Sequence, residues 1–290
     1  MKPAPFEYVA PDTIEEACEH LAAAGGGATV LAGGQTLLPL LALRMSQPFV
    51  LVDIQRIRDL VGVKPAADGG TRIGPMTRQS AVIDDATIAR KLPLVATATR
   101  HIGHHPIRNR GTIGGSIALG EPAAELPATA LALGAVVELR STRGTRRVAA
   151  EELYWGPYST AIESDELMTA IDFPDWPADS IALFRELAPR PGDFALVGLT
   201  GAVSVREGRI ARAGLAWFGM GPTPIRARQA EAALLGQTLD KLEVGEVAEL
   251  AVRETAPFDD HHASAEYRRT VGRRLFARTL NEAVSVRRSA

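Results

Sequence analysis

Two double-glycine segments constrain this chain more than any other feature. The first, Gly33-Gly34-Gln35-Thr36, joins the β-like run ending at Leu31 to a long apolar stretch. Leu37, Leu38, Leu40, Leu41, Leu43 and Met45 of that stretch read as a helix buried on most of its circumference. The second segment, Gly111-Thr112-Ile113-Gly114-Gly115-Ser116, again sets a double glycine beside hydroxyl side chains between apolar runs. Glycine permits positive φ, and successive backbone N–H groups in such loops form concave nests that bind anions. One such loop is equally a tight turn. Two of the same composition suggest a ligand with two phosphates, such as a dinucleotide. Neither matches G-x-G-x-x-G or G-x-x-x-x-G-K-[ST], which argues against ordinary NAD folds and nucleotide kinases.

The remaining composition narrows the class. With 290 residues and 46% hydrophobic content the chain can build two real cores. A net charge of −2 gives no basic excess to attract nucleic acid. No apolar run reaches the roughly 20 residues that span a bilayer, and "MKPAPFEYVAPDT" lacks the apolar core of a secretory signal, so a cytoplasmic protein is expected. One cysteine, Cys18, excludes an intrachain disulfide and an iron–sulfur cluster held by this chain, which needs about four thiolates. Cys18 is expected as a small buried residue on a helix that Asp12 or Thr13 caps and Gly25 ends.

Along the chain, a helix (13–24), a strand (28–32), the glycine turn with a helix (36–45) and a strand (49–54) form a strand–helix–strand element. Short strands such as "TRIGPMT" and "AVVELRS" follow, with a helical stretch near 86–100. The Pro- and Asp-rich "IDFPDWPADS" (171–180) is the candidate domain boundary. Beyond it the alternation in 194–220 predicts an antiparallel strand pair turning at Glu207-Gly208, then helices over 226–235, 246–256 and 264–286.

"LAGGQTLLPLLALR" and "IRNRGTIGGSIALGEPAAELPA", in that order, resemble the two flavin-binding signatures of the FAD-binding medium subunit of molybdenum hydroxylases. This is the family of aerobic carbon monoxide dehydrogenase and of xanthine dehydrogenases. "FEYVAPDTIEEA", "RPGDFALVGL" and "HHASAEYRR" extend the likeness over nearly the whole chain. The resemblance implies an α+β fold. A PCMH-like FAD-binding domain would cover 1–176, in subdomains 1–56 and 57–176, followed by a smaller C-terminal domain of antiparallel sheet and helices over 177–290.

The same resemblance implies a site. Leu31, Ala32, Gly33, Gly34, Gln35, Thr36, Leu37 and Leu38 would hold the pyrophosphate through backbone amides, aided by the N-terminus of the following helix. Thr112, Ile113, Gly114, Gly115 and Ser116 would hold its other side and the ribityl chain. Glu125 falls where relatives carry an acid that contacts the cofactor, Ile102 packs near the isoalloxazine, and Met168 and Arg185 match further contact positions. Phe194 stands where some relatives have a tyrosine shielding the ring, and Ser116 where many have asparagine. No residue is assigned as catalytic and none as a metal ligand. Molybdopterin and [2Fe-2S] clusters are expected only in partners, a large molybdopterin subunit and a small iron–sulfur subunit, assembled as a dimer of heterotrimers. Neither glycine segment offers a histidine or cysteine for a flavin linkage, so FAD is expected to be non-covalent.

Other groups invite competing readings. His101, His104 and His105 lead into the second glycine segment and fit packing or hydrogen bonding beside the flavin better than zinc, which needs converging ligands. His261-His262 reads as structural or as an interface pair. Arg108 and Arg110 could meet the pyrophosphate or surface acids, and "RSTRGTRR" (140–147) reads as a solvated basic turn. Three functions stay open: an electron-transfer flavoprotein subunit, a self-sufficient FAD oxidase acting on a small organic substrate, and a non-catalytic nucleotide-binding protein. The first is the expectation. The acceptor (NAD, quinone or oxygen among relatives) and the substrate are not written in this chain.

Overall fold

The computed structural model describes residues 2–238 and 241–289, with side chains through residue 284. The chain begins with β1 (Glu7–Val9), α1 (Ile14–Ala23), β2 (Ala28–Leu31), α2 (Leu37–Ala42) and β3 (Val50–Asp53). These strands form a three-stranded parallel sheet in the order β1-β3-β2. Thr13 caps α1 by accepting from the Glu16 amide at 3.2 Å, and Cys18 is buried on its inner face with Sγ 3.4 Å from the Arg140 carbonyl.

Helix α2 departs from expectation. It runs for only six residues, and Leu41 is its one buried side chain, while Leu38, Leu43 and Met45 are exposed. Arg44, at φ 57°, turns the chain out of the helix. The apolar stretch that looked like a buried helix is therefore largely an exposed apolar surface.

The second part runs β4 (Val63–Pro65), β5 (Thr71–Ile73), α3 (Gln79–Asp84), α4 (Ala86–Lys91), α5 (Pro93–His101), α6 (His105–Arg108), α7 (Ile113–Leu119) and α8 (Glu125–Leu133). It continues through β6 (Val136–Ser141), β7 (Gly144–Ala149), α9 (Ala150–Leu153), β8 (Tyr154–Gly156), β9 (Ser159–Thr160) and β10 (Leu167–Phe173). A five-stranded antiparallel sheet, β4-β5-β10-β6-β7, packs against α3, α5, α7 and α8 in the largest core. The basic stretch 140–147 is not a free turn. Arg140 pairs with Glu15, Arg143 with Glu163 and Asp165, Arg146 with Glu166, and Arg147 with Asp172.

The last part holds β11 (Ile181–Leu187), β12 (Val197–Arg206), β13 (Arg209–Phe218), β14 (Ile225–Arg226), α10 (Arg228–Leu234), α11 (Val244–Arg253) and α12 (Ala265–Ser289). Its four-stranded antiparallel sheet turns from β12 to β13 at Glu207 and Gly208, both at positive φ as a tight hairpin turn requires. Helix α8 joins this sheet to the preceding part. All nine of its residues are buried, Leu126, Ala130 and Leu133 in one core and Ala128, Leu131 and Ala132 in another with Ala216 and Phe218. Small residues let it come close. A β-carbon on Gly214 would lie 2.1 Å from the Ala132 carbonyl oxygen. The Pro-rich stretch between the two parts is anchored, because Trp176 is buried, donates to the Leu133 carbonyl at 3.1 Å and lies under the Arg212 guanidinium.

Candidate functional site

The first glycine segment leaves the carboxyl end of β2, at the C-terminal edge of the parallel sheet, the edge where open α/β sheets bind their ligands. Gly34 is at φ +73°, which glycine alone adopts without strain. Among the described residues, the amides of Gly33 through Leu37 take no backbone partner, and the Thr36 side chain caps nothing. These donors remain available to an anion.

The second segment is built differently. Thr112 is the N-cap of α7, accepting from the Gly115 amide at 3.1 Å, so Ile113 through Ser116 are the first turn of a helix rather than a loop. The amides of Ile113 and Gly114 donate to the Thr77 and Pro75 carbonyls, and that of Ser116 to Thr112. Gly114 serves packing: a β-carbon there would meet Pro75 at 2.2 Å. It is Gly115 that faces the first segment: a β-carbon there would lie 3.7 Å from the Ala32 β-carbon.

Folding brings the two segments together. A β-carbon on Gly33 would lie 2.4 Å from the Arg110 carbonyl oxygen and 2.9 Å from the Gly111 α-carbon. A bridge that sequence reasoning missed braces the contact. Asp53, buried at the end of β3, accepts from Tyr8 Oη at 2.6 Å and from Gln55 Nε2 at 3.1 Å. Gln55 Oε1 in turn accepts from Arg78 at 3.1 Å, and Arg78 donates to the Arg110 carbonyl. The signal was an acid closing the strand "FVLVD" next to the glycine segment.

The other expected residues separate into groups. Glu125 opens α8 and is only 6% exposed. Burial pushes its carboxyl up to about 8, its own backbone amide pulls the other way, and Glu186 and Glu121 add to the rise. It is therefore a neutral acid near pH 7. Ile102 is half-buried where α5 ends, and the turn after it is held by Arg108, which donates to the Ile102 and Gly103 carbonyls at 2.8 and 3.0 Å. One Nη of Arg108 thus serves its own loop, while its Nε is buried without a partner among the described residues. Across the seam, His101 Nδ1 lies 3.1 Å from Glu186 and its ring packs on Phe184. Phe194 is 62% exposed, an aromatic face with no protein cover.

Met168 is buried in the core that also contains Ile113 and Ile117 of α7. Arg185 pairs with Glu282 of α12, whereas the next residue, Glu186, faces α5. Arg185 is thus held by α12, while its Nε is buried without a partner among the described residues. His261 and His262 are exposed and pack against each other with tilted rings, and no cluster of three metal-ligating side chains occurs among the described residues.

Residues 4–176 match the FAD binding domain in molybdopterin dehydrogenase, and residues 182–283 match the CO dehydrogenase flavoprotein C-terminal domain. The chain is a FAD-binding medium subunit of the molybdenum hydroxylase family. The medium subunit is 40% identical to the 6-hydroxypseudooxynicotine dehydrogenase complex subunit alpha of Paenarthrobacter nicotinovorans, over 98% of this chain and 96% of that one. It is 36% identical to the carbon monoxide dehydrogenase medium chain of Afipia carboxidovorans, over 98% of both. Its fold superposes on carbon monoxide dehydrogenase from Hydrogenophaga pseudoflava with a TM-score of 0.94 at 35% identity, covering 98% of this chain and 99% of that one.

FAD fits the residues present. The free amides around Gly34 and the glycine surface between the two segments suit a pyrophosphate, and the uncovered Phe194 suits a flat aromatic ring. Among the described residues no helix of the medium subunit is long and apolar enough to cross a membrane.

Proposed function

We propose that this medium subunit carries the flavin through which electrons leave a cytoplasmic molybdenum hydroxylase. It would receive them from a small iron–sulfur subunit that is itself fed by a large molybdopterin subunit, in a dimer of heterotrimers. The observation that carries this reading is the meeting of Gly33 with Arg110–Gly111 at the carboxyl edge of the parallel sheet. The amides of Gly33 through Leu37 hold the pyrophosphate, Gly115 and Ser116 border it from the start of α7, and Ile102, Glu125 and Phe194 surround the ring. Met168, packed against α7, and Arg185, held by Glu282 of α12, are the further contact positions.

When bound, FAD supplies an exchange between two-electron and one-electron carriers. The chain's own part is to bind, orient and shield. A single cysteine leaves it without an iron–sulfur relay of its own, so electrons must enter across a subunit interface. The exposed Leu38, Leu43, Met45 and Phe49, close in sequence to the first glycine segment, suit such an interface.

The test is anaerobic absorbance of the flavin band. The isolated flavoprotein should bleach with dithionite and not with an organic substrate, and adding both partner subunits should restore bleaching by substrate. Rapid bleaching of the lone chain by a small organic substrate would favour the self-sufficient oxidase instead.

A further inference from the structure

Arg268 stands near the start of α12 and is 4% exposed, a full charge buried in the C-terminal part. A guanidinium is rarely buried so deeply unless it is paired and hydrogen-bonded, and here the two Nη groups carry the contacts while Nε is left without a partner among the described residues. The guanidinium donates to the Leu196 carbonyl at 2.5 Å, the Gly219 carbonyl at 3.1 Å and Asp260 at 2.7 Å, with Phe258 beneath it at 5.6 Å. Burial pushes the Asp260 carboxyl up, but the amides of Ala263 and His262 and the charge of Arg268 outweigh it and hold it below the usual range.

The two carbonyls are what distinguish this from an ordinary buried ion pair. Leu196 follows Phe194 by two residues. Gly219, at φ +70°, presses on the same segment, where a β-carbon would lie 2.7 Å from the Ala195 oxygen and 2.9 Å from the Leu196 oxygen. The Gly219 amide then donates to the Pro122 carbonyl at 2.9 Å, three residues before Glu125 and on the other side of the seam. One guanidinium thus ties the Phe194 segment directly, and the Glu121–Glu125 segment through Gly219. A lysine, with a single compact ammonium, lacks the fork that spans these acceptors.

We propose that Arg268 is a positioning residue of the flavin site, fixing the Phe194 and Glu125 segments relative to one another. The proposal rests on the flavin reading of Phe194 and Glu125 given above. It is tested in the full chain co-produced with its partner subunits, comparing Arg268→Lys and Arg268→Ala with wild type. The readouts are FAD affinity by fluorescence titration, visible circular dichroism of the bound flavin, and thermal midpoint.

Arg268→Lys is expected to weaken FAD binding about tenfold, the scale of one lost charge-assisted hydrogen bond, and to change the flavin dichroism. Arg268→Ala should lose more, with added guanidinium restoring part of it. In a Phe194→Ala background the effect of Arg268→Lys should shrink, because the two act on one segment. A lowered thermal midpoint with wild-type FAD affinity and dichroism would overturn the proposal and leave Arg268 purely structural. If Arg268→Ala does not fold, the same two readouts on Arg268→Lys decide. A wild-type complex that takes up no flavin overturns the flavin reading itself, and the role of Arg268 with it.

Discussion

Gly33 and Arg110 touch so closely that the glycine α-hydrogen occupies the only space available: a β-carbon there would sit 2.4 Å from the arginine carbonyl oxygen. The carbonyl cannot retreat easily, because Arg78 holds it from behind. Gly33 is therefore glycine because two distant segments meet at it, and not because of its own backbone angle.

Gly33→Ala should part the two segments and weaken FAD binding at least tenfold, about 1.4 kcal/mol. The change is read by flavin fluorescence titration. Gly245→Ala is the control, since a β-carbon there meets nothing within 4 Å and lies in helix α11. It should leave FAD affinity unchanged and raise stability slightly. Equal FAD affinity in Gly33→Ala and Gly245→Ala would show that the contact is not part of the site.

Gly34 and Gly114 should behave differently from one another. Gly34→Val strains a φ of +73° and presses on the Leu38 and Leu31 side chains, so FAD binding should fall while most of the fold survives. Gly114 has ordinary φ, and its replacement meets Pro75 at 2.2 Å. Overpacking of this kind costs about 1–3 kcal/mol, so Gly114→Ala should lower the thermal midpoint even without cofactor. An unchanged midpoint in Gly114→Ala would contradict the packing role.

Glu125 sets a pH dependence. Its folded value of about 8 exceeds the ordinary 4.5, so the folded chain holds a proton that the unfolded chain releases. Its contribution to the stability of the flavin-free chain is then fully present below the ordinary value and is lost as pH rises toward about 8, by at most about 1.4 kcal/mol per pH unit. Glu125→Gln should flatten this slope. Urea unfolding midpoints at pH 5 and pH 8 in the two proteins test it, and parallel pH profiles would refute the assignment.

Asp53 offers a fourth test. Asp53→Ala removes the acceptor of Tyr8 and Gln55 and so loosens the bridge through Arg78 to the Arg110 carbonyl. Loss of a buried hydrogen-bonded acid of this kind should cost about 1–3 kcal/mol of stability. FAD affinity should fall as well, because the brace between the glycine segments is gone. A stability loss with unchanged FAD affinity would separate Asp53 from the site.

By itself the sequence determined the elements and the chemistry that repeats locally. A cap at Asp12 or Thr13, the Glu207-Gly208 hairpin, the alternating strands around it, a lone structural Cys18 and two glycine segments of like composition were all legible, because each depends on neighbours a few residues away. What only the tertiary structure decided were the relations across the chain. The pattern of α2 is apolar throughout, yet whether such a face is covered depends on what packs there, and here Leu38, Leu43 and Met45 are left exposed. The two glycine segments look alike, but Thr112 and Pro75 consume the donors of the second, while those of the first stay free. Arg185 and Glu186 are adjacent in the chain and face opposite ways, a distinction fixed by which helix lies on each side of β11. Local propensity and spacing act through nearest neighbours. Burial, the sharing of hydrogen-bond donors and the close approach of two backbones are properties of segments far apart in sequence, and only the packed chain brings them into contact.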